Sequence, residues 1–339
     1  MENIYERRCE NTNMNKKVIL LIVVMLFIAL PYIFPNDYFI HIAIMSGINI
    51  MLVLSLNLIS GYAGQISLGH AAFFGIGAYT SALLSLHGLP VWFSLFLSAP
   101  VAAFLGFLIG YPVLRLKGHF FGIATLGFGE IVHLLLNNWV NVTRGPMGIS
   151  GIPKPEPILL FDFSTKTDYY LLIMTLVGFI IYLSIRIKHS KIGRALLAIR
   201  TDEITAGAMG VNVTYYKIFA FICSAAIAGL SGAFYAHYVL FLSPETFKLS
   251  TSINILLMLL IGGMGSILGS ILGAVFITFL SEYLRAFAEY QMLIYGVVIV
   301  LIVIFAPRGL SGLLHGLYNK FTYSYHKRKQ EVLEVGKGG

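Results

Sequence analysis

The sequence predicts an all-α, polytopic membrane protein of eight to ten transmembrane helices with broken, glycine-rich segments. Three observations lead there. Of 339 residues, 58% are hydrophobic and only 11% are charged, against about a quarter charged in a soluble globular chain. Mean hydropathy is +0.83. Apolar runs of bilayer length recur near 18–34, 38–59, 66–86, 91–114, 119–139, 169–187, 215–241, 252–282 and 290–306; about 20 apolar residues span the hydrocarbon layer. Finally, the basic residues that give the net charge of +8 lie between these runs, where they report topology and not nucleic-acid binding.

Taken in order, the first run follows Lys16 and Lys17 and is closed by "ALPYIFPND". That is no small-x-small cleavage site, so an uncleaved span after a tail, 1–17, is expected. Cys9 in that tail and Cys223 in a span make neither a disulfide framework nor a metal site. With the N-terminus in the cytoplasm, the basic groups before the first span, after the fourth (Arg115, Lys117) and after the sixth (Arg186 to Lys217) fall inside. The last group, Arg308 to Lys337, falls inside only if 252–306 crosses an even number of times. The run 252–282 is too long for one span and is interrupted by "GGMGS", so two segments or a broken helix are expected. A single crossing, with the basic tail outside, is the alternative. The resulting organisation is a permease domain over 18–306, with an external loop at 140–168, a cytoplasmic loop at 188–214 and a cytoplasmic tail at 307–339.

The stretch "GYAGQISLGHAAFFGIGAY" (61–79) is unusual for a span. On a helix drawn through 64–82, Gly64, Ser67, Ala71, Gly75, Ala78 and Ala82 share one stripe. Ile66, His70, Phe73, Thr80 and Leu84 lie roughly opposite. In lipid, small side chains let helix backbones approach closely, so this stripe is a packing seam. Gly106 with Gly110, the set Ala225, Gly229 and Ala233, and the set Gly265, Gly269 and Gly273 repeat the spacing of four. Plain helix packing accounts for all of these. A second reading concerns "SGYAGQ" (60–65) and "GGMGS" (262–266). Both are Gly-x-x-Gly breaks followed by Leu-Gly, one in each half, which points to an internal repeat around a transport path.

Glu130 lies near the middle of 119–139, with His133 one turn later. A carboxylate in hydrocarbon costs roughly 3 kcal/mol on insertion scales. Glu130 and His133 either share a proton along a water-accessible path or join neighbouring helices; Gln65, Ser67 and Asn57 are further candidates for lining a path or for gluing helices together. No nucleotide-phosphate loop, zinc-protease helix or serine nucleophile elbow is present, so no enzymatic activity of the chain itself is expected. In the loop 188–214, "IGRALLAIR" has helical spacing, and Thr201 is placed to cap a second short helix bearing Asp202 and Glu203 in its first turn. The "ITAGAM" that follows, ending at Gly210, has nothing in the loop to pack on. It lies on lipid headgroups or enters the groove of a partner protein.

Together, "LNLISGYAGQISLGHAAFFGIGAY" (56–79), "ATLGFGEIVHLLLNNW" (124–139), "TRGPMGISGIP" (143–153), "GRALLAIRTDEITAGAMGVNVTYYKIFAF" (193–221), "IGGMGSILGSILGA" (261–274) and "FAPRGLSGLL" (305–314) resemble the LivM-type permease of branched-chain amino acid ABC importers. The resemblance covers about 38–314. It implies a bacterial or archaeal cytoplasmic-membrane protein that moves leucine, isoleucine and valine. Its implied partners are a LivH-type second permease, two cytoplasmic ATPases and an external solute-binding protein, besides membrane lipid; no nucleic acid is involved. ATP and Mg would bind the ATPases, and no cofactor or metal this chain. Arg200, Thr201, Asp202, Glu203, Ala206 and Gly210 would be the ATPase-coupling residues, and Gln65, Ser67, Glu130 and His133 the path. Urea permeases of the same superfamily look similar. A secondary transporter using Glu130 and His133 as a proton relay is the rival from another class.

Overall fold

The computed structural model describes residues 36–114, 116, 118–157, 163, 165–285, 290, 293–297, 300, 304 and 309–312. Helix α1 (Asp37–Leu56) begins where the Asn36 side chain accepts the Tyr38 N–H at 2.9 Å, satisfying a first-turn donor. It does not end at Leu56 but widens into a π-helical turn, Asn57–Tyr62. There follow α2 (His70–Leu86), α3 (Val91–Val113), α4 (His119–Asn138), a short α5 (Val140–Thr143), α6 (Lys166–His189), α7 (Lys191–Thr201), α8 (Glu203–Ala208), α9 (Val213–Val239), α10 (Leu249–Gly262) and α11 (Ile267–Tyr283). Two-residue strands β1 (Ile149–Ser150) and β2 (Phe241–Leu242) pair antiparallel, with Ile149 opposite Leu242.

Five stretches are long and apolar enough to cross a bilayer: Asp37–Tyr62, Val91–Val113, His119–Asn138, Lys166–His189 and Val213–Val239. Three shorter apolar helices, α2, α10 and α11, accompany them. The run expected at 252–282 is two helices, α10 and α11. They are separated by a turn in which Gly263 and Gly265 take φ of +110° and +84°, backbone that glycine adopts without a Cβ clash. The expected span 18–34 lies outside the described residues, and 290–306 largely so.

The core is a bundle of helices whose backbones nearly touch. Helix α9 lies against α2, α3 and α1. A methyl added at Gly77 would strike the Gly229 carbonyl, and one added at Gly232 the Phe74 carbonyl. On α3, Gly106 backs onto the Ala225 methyl and Gly110 onto the Phe221 ring. Close backbone approach is what holds helices together where burial of apolar surface gives little.

The stripe drawn through 64–82 needs correcting. Helix α2 starts only at His70, and Gly64 and Ser67 precede it in non-helical backbone. Gly64 has φ +72°, and the Ser60 hydroxyl donates to the Gln65 carbonyl at 2.9 Å while its oxygen accepts the Ser67 N–H at 3.4 Å. Local side-chain bonds of this kind compete with helix. Ala71, Gly75, Ala78 and Ala82 do lie on α2, but close approaches to α9 are made by Gly77 and Phe74, off the stripe. His70 and Phe73, placed opposite the stripe, are buried too, because α2 has neighbours all round its first turns. On α11 the set Gly265, Gly269 and Gly273 loses Gly265 to the turn. Gly262 takes its place, its backbone crossing that of Gly269.

Candidate functional site

The two glycine-rich breaks, far apart in sequence, meet in space. The Asn57 side-chain oxygen, at the start of the π-turn, accepts the Gly265 N–H at 2.8 Å. The Arg200 guanidinium, from the last turn of α7, donates to the Gly61 carbonyl. The Arg200 side chain also lies over one left-handed glycine of each break: a Cβ at Gly265 would fall 2.7 Å from Arg200 Nη1, and one at Gly64 3.1 Å from Arg200 Cγ. Lys188, from the last turn of α6, donates to the Gly265 carbonyl at 3.4 Å. The α6–α7–α8 segment is therefore bonded to both breaks at once. Asn57, Lys188 and Gly265 were not singled out as coupling residues from sequence. The signal for Asn57 is a polar side chain one turn before a Gly-x-x-Gly break.

The α1–α2 break frees backbone groups in a buried place, and side chains from three other elements satisfy them. Thr125 of α4 accepts the Leu68 N–H at 3.0 Å, and Ser252 of α10 accepts the Ala71 N–H at 2.9 Å. Ser224 of α9 donates to the Ser55 carbonyl at 2.7 Å. The Ser55 hydroxyl and His70 Nε2 lie 2.6 Å apart. Unpaired buried backbone groups are costly, so the break persists because its neighbours complete it. The Ser67 and Tyr62 hydroxyls are buried without a hydrogen-bond partner among the described residues.

The loop end of the site departs from expectation in one respect. Thr201 does not cap α8; it is the last residue of α7, and its hydroxyl donates to the Leu197 carbonyl at 3.0 Å. Asp202 is the cap, accepting the Thr205 N–H at 2.8 Å. That backbone donor holds the Asp202 carboxyl below its ordinary value of 3.8. Glu203 pairs with Lys217 of α9 at 2.7 Å, and the Lys217 side chain is 1% exposed, so α8 is anchored to the foot of α9. Ala206 faces inward, whereas Ile204 and Met209 stand out at 78% and 80% exposure. Gly210 turns the chain with φ +85°. The groups a partner would meet are Ile204 and Met209, which helical spacing alone did not distinguish from Ala206.

The expected path residues separate. Gln65, Ser67 and His133 are buried, and His133 Nδ1–H donates to the Pro244 carbonyl at 3.2 Å. Glu130 is exposed on the other side of α4, so it shares no hydrogen bond with His133. A cavity of about 320 Å³ opens near β2, lined by His41, Lys154, Tyr169, His237 and Tyr238 among others. None of the four path residues borders it.

Residues 38–303 match the family described as "Branched-chain amino acid transport system / permease component". The chain is 38% identical over 324 residues to the high-affinity branched-chain amino acid transport system permease protein LivM of Salmonella typhimurium, covering 89% of this chain and 76% of that protein. A probable LivM of Methanocaldococcus jannaschii is 26% identical over 317 residues, covering 78% and 90%. The Salmonella typhimurium permease LivH is 22% identical over 293 residues, covering 77% and 90%. No solved structure matches. The helical frame, the broken apolar segments and this match over most of the chain place it together: the protein belongs to the permease-component family of branched-chain amino acid transport systems.

Proposed function

We propose that the chain is the LivM-type membrane subunit of a binding-protein-dependent ABC importer, admitting leucine, isoleucine and valine to the cytoplasm. ATP is hydrolysed with Mg by two partner ATPases, a LivH-type permease completes the membrane part, and an external binding protein delivers the solute. The observation that carries this reading is the junction of Arg200, Asn57 and Lys188, which ties the exposed α7–α8 turn to both helix breaks. Ile204 and Met209 enter an ATPase groove; closure of the ATPases pulls α7, and Arg200 passes the pull to the Gly61 carbonyl and to Gly265. Selectivity resides mainly in the binding protein. On this reading the chain crosses a bacterial or archaeal inner membrane eight to ten times with both termini in the cytoplasm, which the five long and three shorter apolar helices support.

The test is uptake by the reconstituted complex, with leucine, isoleucine, valine and urea in competition. ATP-dependent leucine uptake, blocked by isoleucine and valine but not by urea, is the expected result. Preference for urea would move the chain to the urea branch of the superfamily. Leucine uptake by the isolated chain on a proton gradient would replace the importer with a secondary transporter.

A further inference from the structure

Three long helices, α3, α4 and α6, leave much of their surface uncovered by the rest of the chain, and these surfaces differ. The exposed stripe of α3 carries Phe93, Phe96, Phe104, Phe107 and Leu108. Large apolar side chains of this kind suit lipid. The charges of α6 lie in its end turns. The exposed stripe of α4 runs through Ile123, Glu130, Ile131 and Leu134, with the half-buried Gly127 beside it. Here a carboxylate, Glu130, stands in the middle of the helix, eleven residues from its start and eight from its end, with Gly127 one turn before it; α6 also has an open mid-helix glycine, Gly178, but its carboxylate lies in the first turn. Gly127 has no atom of the described chain within 4 Å of an added Cβ. Glu130 has no hydrogen-bond or ion-pair partner among the described residues.

Both features oppose a lipid environment. A carboxylate at mid-membrane costs roughly 3 kcal/mol or more unless paired or hydrated, and a glycine in a helix gains nothing from lipid but admits another backbone. We propose that the Gly127–Glu130–Leu134 face of α4 is the surface against which a second permease of the same family packs, with Glu130 accepting a hydrogen bond or charge from a donor on that subunit. The occupant follows from the relatives as well as from the charge. In Salmonella typhimurium and in Methanocaldococcus jannaschii two permeases, named LivM and LivH, both match this chain, so a helical subunit of related frame accompanies the relatives. This inference rests on the importer reading and adds to it which face meets the sister subunit.

The experiment uses the whole complex in membranes, with an affinity tag on the second permease. A photo-reactive benzoylphenylalanine is placed at Leu134 or Ile131 on α4, or at Phe104 on α3. The expected result is a light-dependent adduct with the tagged second permease from both α4 positions, several-fold above that from Phe104. Adducts with lipid alone, with a second copy of this chain or within this chain, or no adduct from α4, overturn the inference. Glu130→Gln, which keeps a hydrogen-bonding group, should leave recovery of the second permease nearly unchanged. Glu130→Leu should lower it about three- to thirtyfold, the span expected for one interhelical polar contact in a membrane. Equal or better recovery with Leu overturns the pairing. If the unaltered chain brings down no second permease, the importer reading fails with it; if it does so yet labels from Phe104 and not from Leu134, only this inference fails.

Discussion

The two helix breaks share the pattern Gly-x-x-Gly then Leu-Gly, yet they are built differently. The crossing of α10 and α11 is held by backbone against backbone: Gly262 and Gly269 each sit where the other's carbonyl would meet a Cβ, and Gly273 lies against the Met258 carbonyl; the tip of the turn, Gly265, is bonded by the Asn57 and Lys188 side chains. Only Ser266 caps it locally, accepting the Gly269 N–H at 3.0 Å. The α1–α2 break is a π-turn followed by non-helical chain. It is completed by side chains from elsewhere, Thr125, Ser252 and Arg200 among them. A crossing of bare backbones has no side chains to rearrange and acts as a fixed point. A break held by hydrogen bonds from four directions changes shape when one of its holders moves, and the holder that leads to the exposed loop is Arg200.

The sharpest way to break this comparison is to put bulk into the fixed point. Gly262→Val forces a branched side chain into the Gly269 backbone, and no folded, monodisperse protein is expected on size-exclusion chromatography in detergent. Gly64→Ala, at the adjustable break, presses on the flexible stem of Arg200 and meets its Cα only at ordinary contact distance. It costs about 1–2 kcal/mol for the left-handed backbone, and folded protein should be recovered. Equal recovery of the two would erase the distinction.

Next in size is the anchor of α8. Glu203→Lys leaves the Lys217 ammonium buried and adds a like charge beside it, which costs about 3–5 kcal/mol for a buried pair broken on one side. The expected outcome is a chain still inserted in the membrane but without ATP-driven uptake. Unchanged transport would show that α8 needs no attachment to α9.

The smallest effect is that of the α8 cap. Because the Thr205 N–H lowers the Asp202 pKa below 3.8, the stabilisation is complete above 3.8 and is lost as the pH falls through the lowered folded value. Near neutral pH the cap is constant. Asp202→Asn retains an acceptor, so hydrogen exchange at the Thr205 amide should match the unaltered chain at neutral pH and diverge only in acid. Divergence already at neutral pH would mean that the charge, and not the cap bond, orders this turn.

Much of this frame was legible in the sequence. Apolar length located α1, α3, α4, α6 and α9, and "GGMGS" marked where 252–282 divides. Local spacing misled where long-range partners decide. A uniform helix through 64–82 ignored the local bonds of Ser60, and Thr125 and Ser252 stabilise the unwound form of that stretch from places no local window contains. Thr201 and Asp202 are both good caps side by side; the Leu197 carbonyl takes the Thr201 hydroxyl and leaves the cap to Asp202. Glu130 and His133 are three apart, yet α4 packs on one side only, and this sends one inward to Pro244 and the other outward. The proximity of Asn57 and Gly265, like the Glu203–Lys217 pair, arises from the packing of whole helices and has no signature of its own.

The central claim is that Arg200 carries motion from the exposed loop to the two breaks. It is tested most directly by Arg200→Met in the assembled complex in proteoliposomes, measuring leucine transported per ATP hydrolysed. Loss of a charge-assisted hydrogen bond is worth about 1.5–3 kcal/mol, so the ratio should fall tenfold or more while hydrolysis continues. A ratio equal to that of the unaltered complex would contradict the claim.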